Sequence, residues 1–298
     1  MNFVGELAGL ATSFFFALTS IIFASTGRMV GSQVTNRVRL IFALLYLVVL
    51  NLILFREPLP LSAESSRWIW LGLSGVIGLS LGDAFYFQSL VSVGPRLGSL
   101  LLSLAPIFGS IIAWIFFGET LTALQITGIV LALAGIAWVV MSHVEPPDTP
   151  LGHTKRGVFF GMLAGLGQAT GLVFSKQGMF GVFSPFQGNV IRILVAVIFI
   201  WSLTFLEGKS GATFSALREK PQALRLLALG ALVGPVLGVS SSLLAVQHTE
   251  IGVASTLMAL PPVIILPISY YVLKEKIGWQ AVAGTILAIA GVAVLFLA

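Results

Sequence analysis

Apolar runs of about 20 residues recur from one end of this chain to the other, and no other feature limits its fold so strongly. A helix needs about 20 residues to cross hydrocarbon about 30 Å thick, at about 1.5 Å per residue. The composition agrees. Of 298 residues, 57% are hydrophobic and 9% charged, and the mean hydropathy is +1.03, whereas an average soluble domain is about 25% charged. So few charges cannot cover a surface facing water. The sequence predicts an all-α, multi-pass integral membrane protein.

Ten spans fit the pattern: 4–24, 38–55, 68–91, 97–117, 123–142, 157–177, 188–206, 226–246, 253–273 and 279–298. The first, "LAGLATSFFFALTSIIFA", has no basic residue ahead of it and is long for a signal core, so it is read as a span. The longest polar linkers are 143–156 and 207–225, and the first divides the chain nearly in half. The expected organisation is a five-helix unit over 1–142, a polar linker over 143–156 and a second five-helix unit over 157–298.

Charge adds orientation. Twelve of the 16 basic residues fall in alternate loops, and four, Arg56, Arg67, Lys176 and Arg192, fall on the other side. Because an excess of Lys and Arg marks cytoplasmic loops, both termini are expected on the extracytoplasmic side of a plasma or inner membrane. Arg37, Arg39 and Arg192 lie at or inside the starts of spans two and seven, where a long side chain can snorkel to the headgroups. The net charge of +5 is scattered over loops, which argues against a nucleic-acid partner. The absence of cysteine excludes disulfides and thiolate metal sites.

The two halves resemble each other. An offset of 156 lays Gly78 on Gly234, Gly82 on Gly238, Pro106 on Pro262, Glu119 on Glu275, Gly128 on Gly284 and Gly135 on Gly291. A slightly different offset brings Gly5 and Gly9 onto Gly157 and Gly161. Five is odd, so consecutive five-helix copies enter the membrane in opposite orientations. Such inverted repeats create a midplane site and permit alternating access; the bland reading is a duplication that only enlarged the bundle.

Two stretches carry a family resemblance: "GSLLLSLAPIFGSIIAWIFFGETLTALQITGIVLALAGIAWVV" and "GVASTLMALPPVIILPISYYVLKEKIGWQAVAGTILAIAGVAVLFL". Each resembles the EamA family of the drug/metabolite transporter superfamily, with a proline in the fourth helix, an acid near the next turn and a glycine-punctuated fifth helix. The resemblance implies ten helices in two inverted repeats, a central cavity and movement of small metabolites or drugs, often outward.

Within the spans, Asp83 is the outstanding residue, because an ionised carboxylate at the bilayer centre costs about 2.5–3.5 kcal/mol on insertion scales. It needs water, a proton or a partner. With Tyr86 and Phe85 or Phe87 nearby, it is a candidate to bind a cationic or zwitterionic group or to exchange a proton with it; the structural alternative is a hydrogen-bonded helix contact. Gln168, Ser241 and Ser242 are candidates to complete the cavity, although a serine also satisfies its own helix readily. Glu6 is a weaker coupling candidate at interfacial depth. Glu119 and Glu275 read as helix-boundary acids. Pro106, Pro261 and Pro262 are expected to bend helices for gating or shaping, and Gly78, Gly82, Gly234 and Gly238 to allow close packing.

These features point to a secondary transporter that moves a small organic solute by alternating access, with export of amino acids, amines or drug-like compounds as the first expectation. Import or facilitated movement is the alternative, and a membrane receptor or structural interaction protein is the alternative of another class. No Walker A loop, dinucleotide-binding unit or metal-ligand cluster is present in the sequence, so neither an enzyme nor a cofactor is expected. The partners expected are the solute and the lipid bilayer, with proton coupling through Asp83 as an option; oligomeric state is left open.

Overall fold

A computed structural model of the chain describes residues 3–142, 154–271 and 278–298, and among them the regular structure is helical. Helix α1 (Val4–Val30) meets α2 (Ser32–Phe55) at Gly31, whose φ of 87° lies where L side chains are strained. Next, α3 (Ser65–Ser74), a π-helical stretch (Gly75–Gly82) and α4 (Asp83–Leu102) follow without a break, and then come α5 (Ala105–Phe117) and α6 (Ala123–Ser142). The second half contains α7 (Thr154–Gly178), α8 (Pro185–Leu206) and a short α9 (Ser210–Glu219). Then α10 (Pro221–Ala231), a second π stretch (Leu232–Gly238) and α11 (Val239–His248) form one rod, followed by α12 (Ile251–Met258), α13 (Pro261–Tyr271) and α14 (Trp279–Leu297).

Eight of the described helical stretches are long and apolar enough to cross a membrane. Two shorter apolar helices, Ala105–Phe117 and Ile251–Pro267, occupy the places of expected spans four and nine. The sequence reading put a break between 91 and 97, but the helix runs on to Leu102 and stops before α5. In the second half the matching break lies between Met258 and Pro261. Both breaks immediately precede prolines, which lack the N–H a helix needs but suit its first turn. Helices α2 and α8 also begin earlier than expected, and α9 lies inside what was read as polar linker. The linker of 143–156 falls largely outside the described residues, as do Lys274, Glu275 and Lys276.

In lipid there is little hydrophobic drive between helices, so close backbone packing has to hold them. The fifth helices of the halves supply the clearest case. Gly128 in α6 faces Gly291 and Leu295 in α14, while Gly135 faces Gly284 and Ala288. Rising numbers in α6 meet falling numbers in α14, so the two helices run antiparallel. Ile136, Val139, Ala288 and Leu295 fill in around that seam with Val253 and Leu257.

The first helix of each half packs against the other half: α1 on the second π stretch, α11 and α12, and α7 on α3, the first π stretch, α4 and α5. Particular contacts recur in exchanged form. Gly9 faces Leu257 as Gly161 faces Leu101, and Gly234 faces Thr19 as Gly78 faces Gly171. Likewise Gly238 faces Phe15 as Gly82 faces Gly167.

Candidate functional site

Asp83 opens α4 directly after the first π stretch. Gly75, Gly78 and Gly82 within that stretch admit neighbouring backbones: a Cβ on Gly75 would overlap the carbonyl oxygen of Arg192, and Gly82 lies against Gly167. A π stretch closes i to i+5 hydrogen bonds and so changes the rotational phase of the residues after it, a device frequent at functional sites. The regular 100° wheel applied to the sequence therefore does not describe where Asp83 points.

Asp83 is buried, with 8% of its surface exposed. Both carboxylate oxygens are engaged by the chain itself. Arg39 of α2 donates through Nη2 to Oδ2, forming an ion pair, and Gln168 of α7 donates through Nε2 to Oδ1 at 3.2 Å. Arg39 is in turn held by Asn36, which accepts from its Nε at 2.9 Å, and its guanidinium lies over the Phe23 ring at 5.5 Å. A buried ion pair survives only when its remaining polar atoms are also satisfied. The partner that Asp83 needs is thus supplied by the chain itself.

A second guanidinium lies close by. Arg192 of α8 is 3% exposed and acts electrostatically on Asp83 together with Arg39. Its Nε and Nη1 have no hydrogen-bond partner among the described residues. Its Nη2 and the Oε1 of Gln168 lie 3.7 and 4.0 Å from the point a Cβ on Gly78 would occupy. Of the two arginines, only Arg39 is within ion-pair distance of the aspartate. Arg37, Arg39 and Arg192 are largely enclosed by neighbouring helices. Arg37, 7% exposed, donates to Thr213 at 3.1 Å in α9, and the other two turn into the bundle. Arg37 and Arg39 each find an acceptor or countercharge on a neighbouring helix, whereas Arg192 is enclosed with two donors unpartnered among the described residues.

The other expected residues are distributed around this node. Phe87 lines a cleft of about 200 Å³ with Gln33, Asn36, Ser80, Gln88 and Lys209 among others. Tyr86 packs its ring 5.9 Å from that of Phe87, while Phe85 stacks on Phe160 of α7. Ser242 donates to the carbonyl of Val239 in its own helix at 2.7 Å, and Ser241 is half-buried; no hydrogen bond links either to Asp83 among the described residues. Ser240 instead accepts from Asn189, whose amide also donates to the Pro235 carbonyl in the second π stretch at 2.8 Å. Pro106 is buried in the first turn of α5 and its carbonyl accepts from Ser110 at 2.8 Å; Pro261 and Pro262 open α13.

Glu6 belongs to a separate cluster. It accepts from Thr249 at 3.2 Å, and its second oxygen is buried without a partner among the described residues. Lys176 pairs with Glu119 at 2.6 Å and donates to the Thr249 carbonyl at 2.8 Å. Glu119 also accepts from the backbone N–H of Ile251 at 3.0 Å, at the start of α12. Glu119 thus ties three elements together. This cluster sits at the beginning of α1, whereas Ser32 and Gln33, which line the cleft, adjoin its end. Over 27 residues α1 separates them by about 40 Å. In the lining of the cleft, a hydrogen bond from Lys209 at 2.9 Å, and its charge, hold the Glu207 carboxyl below the usual carboxylate range.

Among the described residues no three His, Asp or Glu side chains gather as a metal site. Sequence reasoning singled out Asp83 and Gln168 but not Arg39 and Arg192 as their companions. The available signal was the presence of arginines inside apolar spans, each of which calls for a named partner.

The model of the EamA-like transporter family matches residues 3–141 and again 155–297. The chain belongs to this family. Membership places it among transporters and not among enzymes. An uncharacterized transporter from Clostridium kluyveri is 26% identical over 143 residues, covering 48% of this chain and 45% of that protein, so the chain aligns with about half the length of this relative. A crystal structure of another protein superposes with a TM-score of 0.73 at 16% identity, covering 98% of this chain and 97% of that one. At that identity the likeness concerns the fold, and it extends over nearly the whole EamA-family chain.

Proposed function

We propose that this EamA-family chain is a secondary transporter that moves small organic metabolites by alternating access between two inverted five-helix repeats, 1–142 and 157–298. The antiparallel seam of α6 and α14 supports an inverted relation, as do the exchanged contacts Gly9–Leu257 and Gly161–Leu101. So does the presence of one π stretch in each half, at Gly75–Gly82 and Leu232–Gly238. In this reading the two broken helices complete ten crossings, and the termini face away from the cytoplasm of a plasma or inner membrane.

The observation that carries the proposal is the pairing of an open cleft of mixed polar and apolar lining at one end of α1 with a closed ionic cluster at the other, and a buried charged node between them. A transporter must keep one side shut while the other is open. The cleft at Ser32 and Lys209 then faces the cytoplasm and admits a solute for export, with Phe87, Gln88 and Asn36 along its walls. The Glu119–Lys176 pair closes the far side. Asp83, Arg39, Gln168 and Arg192 form the substrate or coupling site, Tyr86, Ser241 and Ser242 lie in its supporting shell, and Pro106, Pro261 and Pro262 shape the mobile breaks. Differential binding of solute to the two arrangements would drive exchange between them.

Solute flux into sealed vesicles of known orientation tests the reading. Net, saturable movement of a small metabolite that is lost in Arg39→Met and Asp83→Asn is the expected result. Chemical turnover without flux, or no flux across a broad metabolite panel, would contradict it.

A further inference from the structure

A guanidinium enclosed by helices normally has its five N–H donors engaged, because a buried unpaired charge is expensive. Arg192 departs from this: it is 3% exposed, and its Nε and Nη1 have no partner among the described residues. Its neighbour Asp83 does not fill the gap, since one carboxylate oxygen accepts from Arg39 and the other from Gln168. The local balance is therefore two positive charges against one negative. A single further negative charge would neutralise it.

A Cβ built on Gly78 would stand 3.7 Å from Arg192 Nη2 and 3.6 Å from Gly171 Cα, at ordinary contact distances, so the two glycines leave a gap of one methyl group at the Nη2 edge, and a carboxylate enters only as the first π stretch and α8 move apart. The Gln168 side chain borders the same space with its Oε1. Planar, forked N–H donors match the oxygens of a carboxylate or of a phosphate; the carboxylate brings the single negative charge that the local balance lacks, whereas a phosphate monoester brings about two.

We infer that Arg192 is the docking point for the carboxylate of the transported solute, which assigns the substrate class as small carboxylate-bearing organic molecules and not simple amines. This rests on the transporter reading above and deepens it. Asp83 then serves as the internal counter-ion that keeps Arg39 in place, and the solute brings the charge that Arg192 lacks.

Three probes built on one isopentyl group separate the classes: 4-methylpentanoate carries only the carboxylate, leucine adds an ammonium, and isopentylamine carries only the amine. With purified full-length protein in detergent, the two carboxylates are expected to raise the melting temperature and the amine to leave it unchanged. Arg192→Met removes an unpartnered buried charge, so the ligand-free protein is expected to melt at the same or a higher temperature while the carboxylate-induced rise disappears. Arg192→Lys should keep a reduced rise. Gly78→Ala, whose methyl fits the fold, should weaken carboxylate binding several-fold without lowering the ligand-free melting temperature. A lower melting temperature for ligand-free Arg192→Met would assign Arg192 to structural support and overturn the inference, as would a rise with isopentylamine alone or with none of the three. Vesicle flux distinguishes the two levels: uptake of isopentylamine without either carboxylate sinks the substrate assignment and leaves transport standing, whereas carboxylate binding without flux sinks the transport reading alone.

Discussion

Asp83 and Arg39, acting as an ion pair, should give opposite results when changed singly and together. Asp83→Asn keeps a partner for Gln168 but leaves two buried guanidinium groups without an anion. Breaking a buried pair from one side costs about 3–5 kcal/mol, so thermal unfolding of the detergent-purified variant should show a drop of that order. The double variant Asp83→Leu with Arg39→Met removes both charges and should recover most of the melting temperature while flux stays lost. A double variant no more stable than Asp83→Asn would mean the two residues do not act as a pair. Asp83 itself was legible in the sequence, because a lone acid among apolar residues stands out. Its partner was not: Arg39 lies 44 positions away on another helix, and no spacing rule joins them.

At the scale of helices, the α6–α14 seam depends on backbones touching. A Cβ on Gly135 would collide with the backbone nitrogen of Ala288, which cannot yield as a side-chain tip would. Gly135→Ala is expected to cost about 1–3 kcal/mol, as overpacking does, and to lower the melting temperature accordingly. Gly27 in α1 meets nothing within 4 Å at its Cβ position. Gly27→Ala should therefore hold or raise stability, by up to about 1 kcal/mol from reduced freedom of the unfolded chain. Equal losses at both positions would remove the seam argument. Pro106, Pro261 and Pro262 were read as bends inside spans four and nine, whereas they sit in the first turns of α5 and α13, just after breaks in the chain, since proline lacks a donor and suits that position. Helix α9 was not legible, because its ten residues are mostly polar and its anchor, Arg37 to Thr213, comes from α2.

For the molecule as a whole, the lack of cysteine makes orientation and gating easy to read, because any introduced thiol is the sole label. In intact cells an impermeant maleimide should label Leu61→Cys, in the connection between α2 and α3, and should reach Gly211→Cys in α9 only after the membrane is opened. The reverse pattern would invert the proposed orientation and exchange import for export. Lys176→Met breaks the pair with Glu119 and releases the Thr249 carbonyl. It should speed labelling of Ser110→Cys, below the ionic cluster in α5, by several-fold from the extracytoplasmic side. Unchanged labelling would show that the cluster is not what closes that side.

Hydropathy determined on its own that this is a helical membrane protein, because contact with lipid and satisfaction of backbone hydrogen bonds are demands each segment meets locally. Repeated glycines and prolines likewise marked the related halves. Which charges meet was decided only in three dimensions. The π stretch turns Asp83 toward Arg39 and Gln168, and close glycine contacts bring α8 near enough to bury Arg192 without completing its hydrogen bonds. Rotational phase and helix neighbours set those meetings, and neither is a property of a segment taken alone.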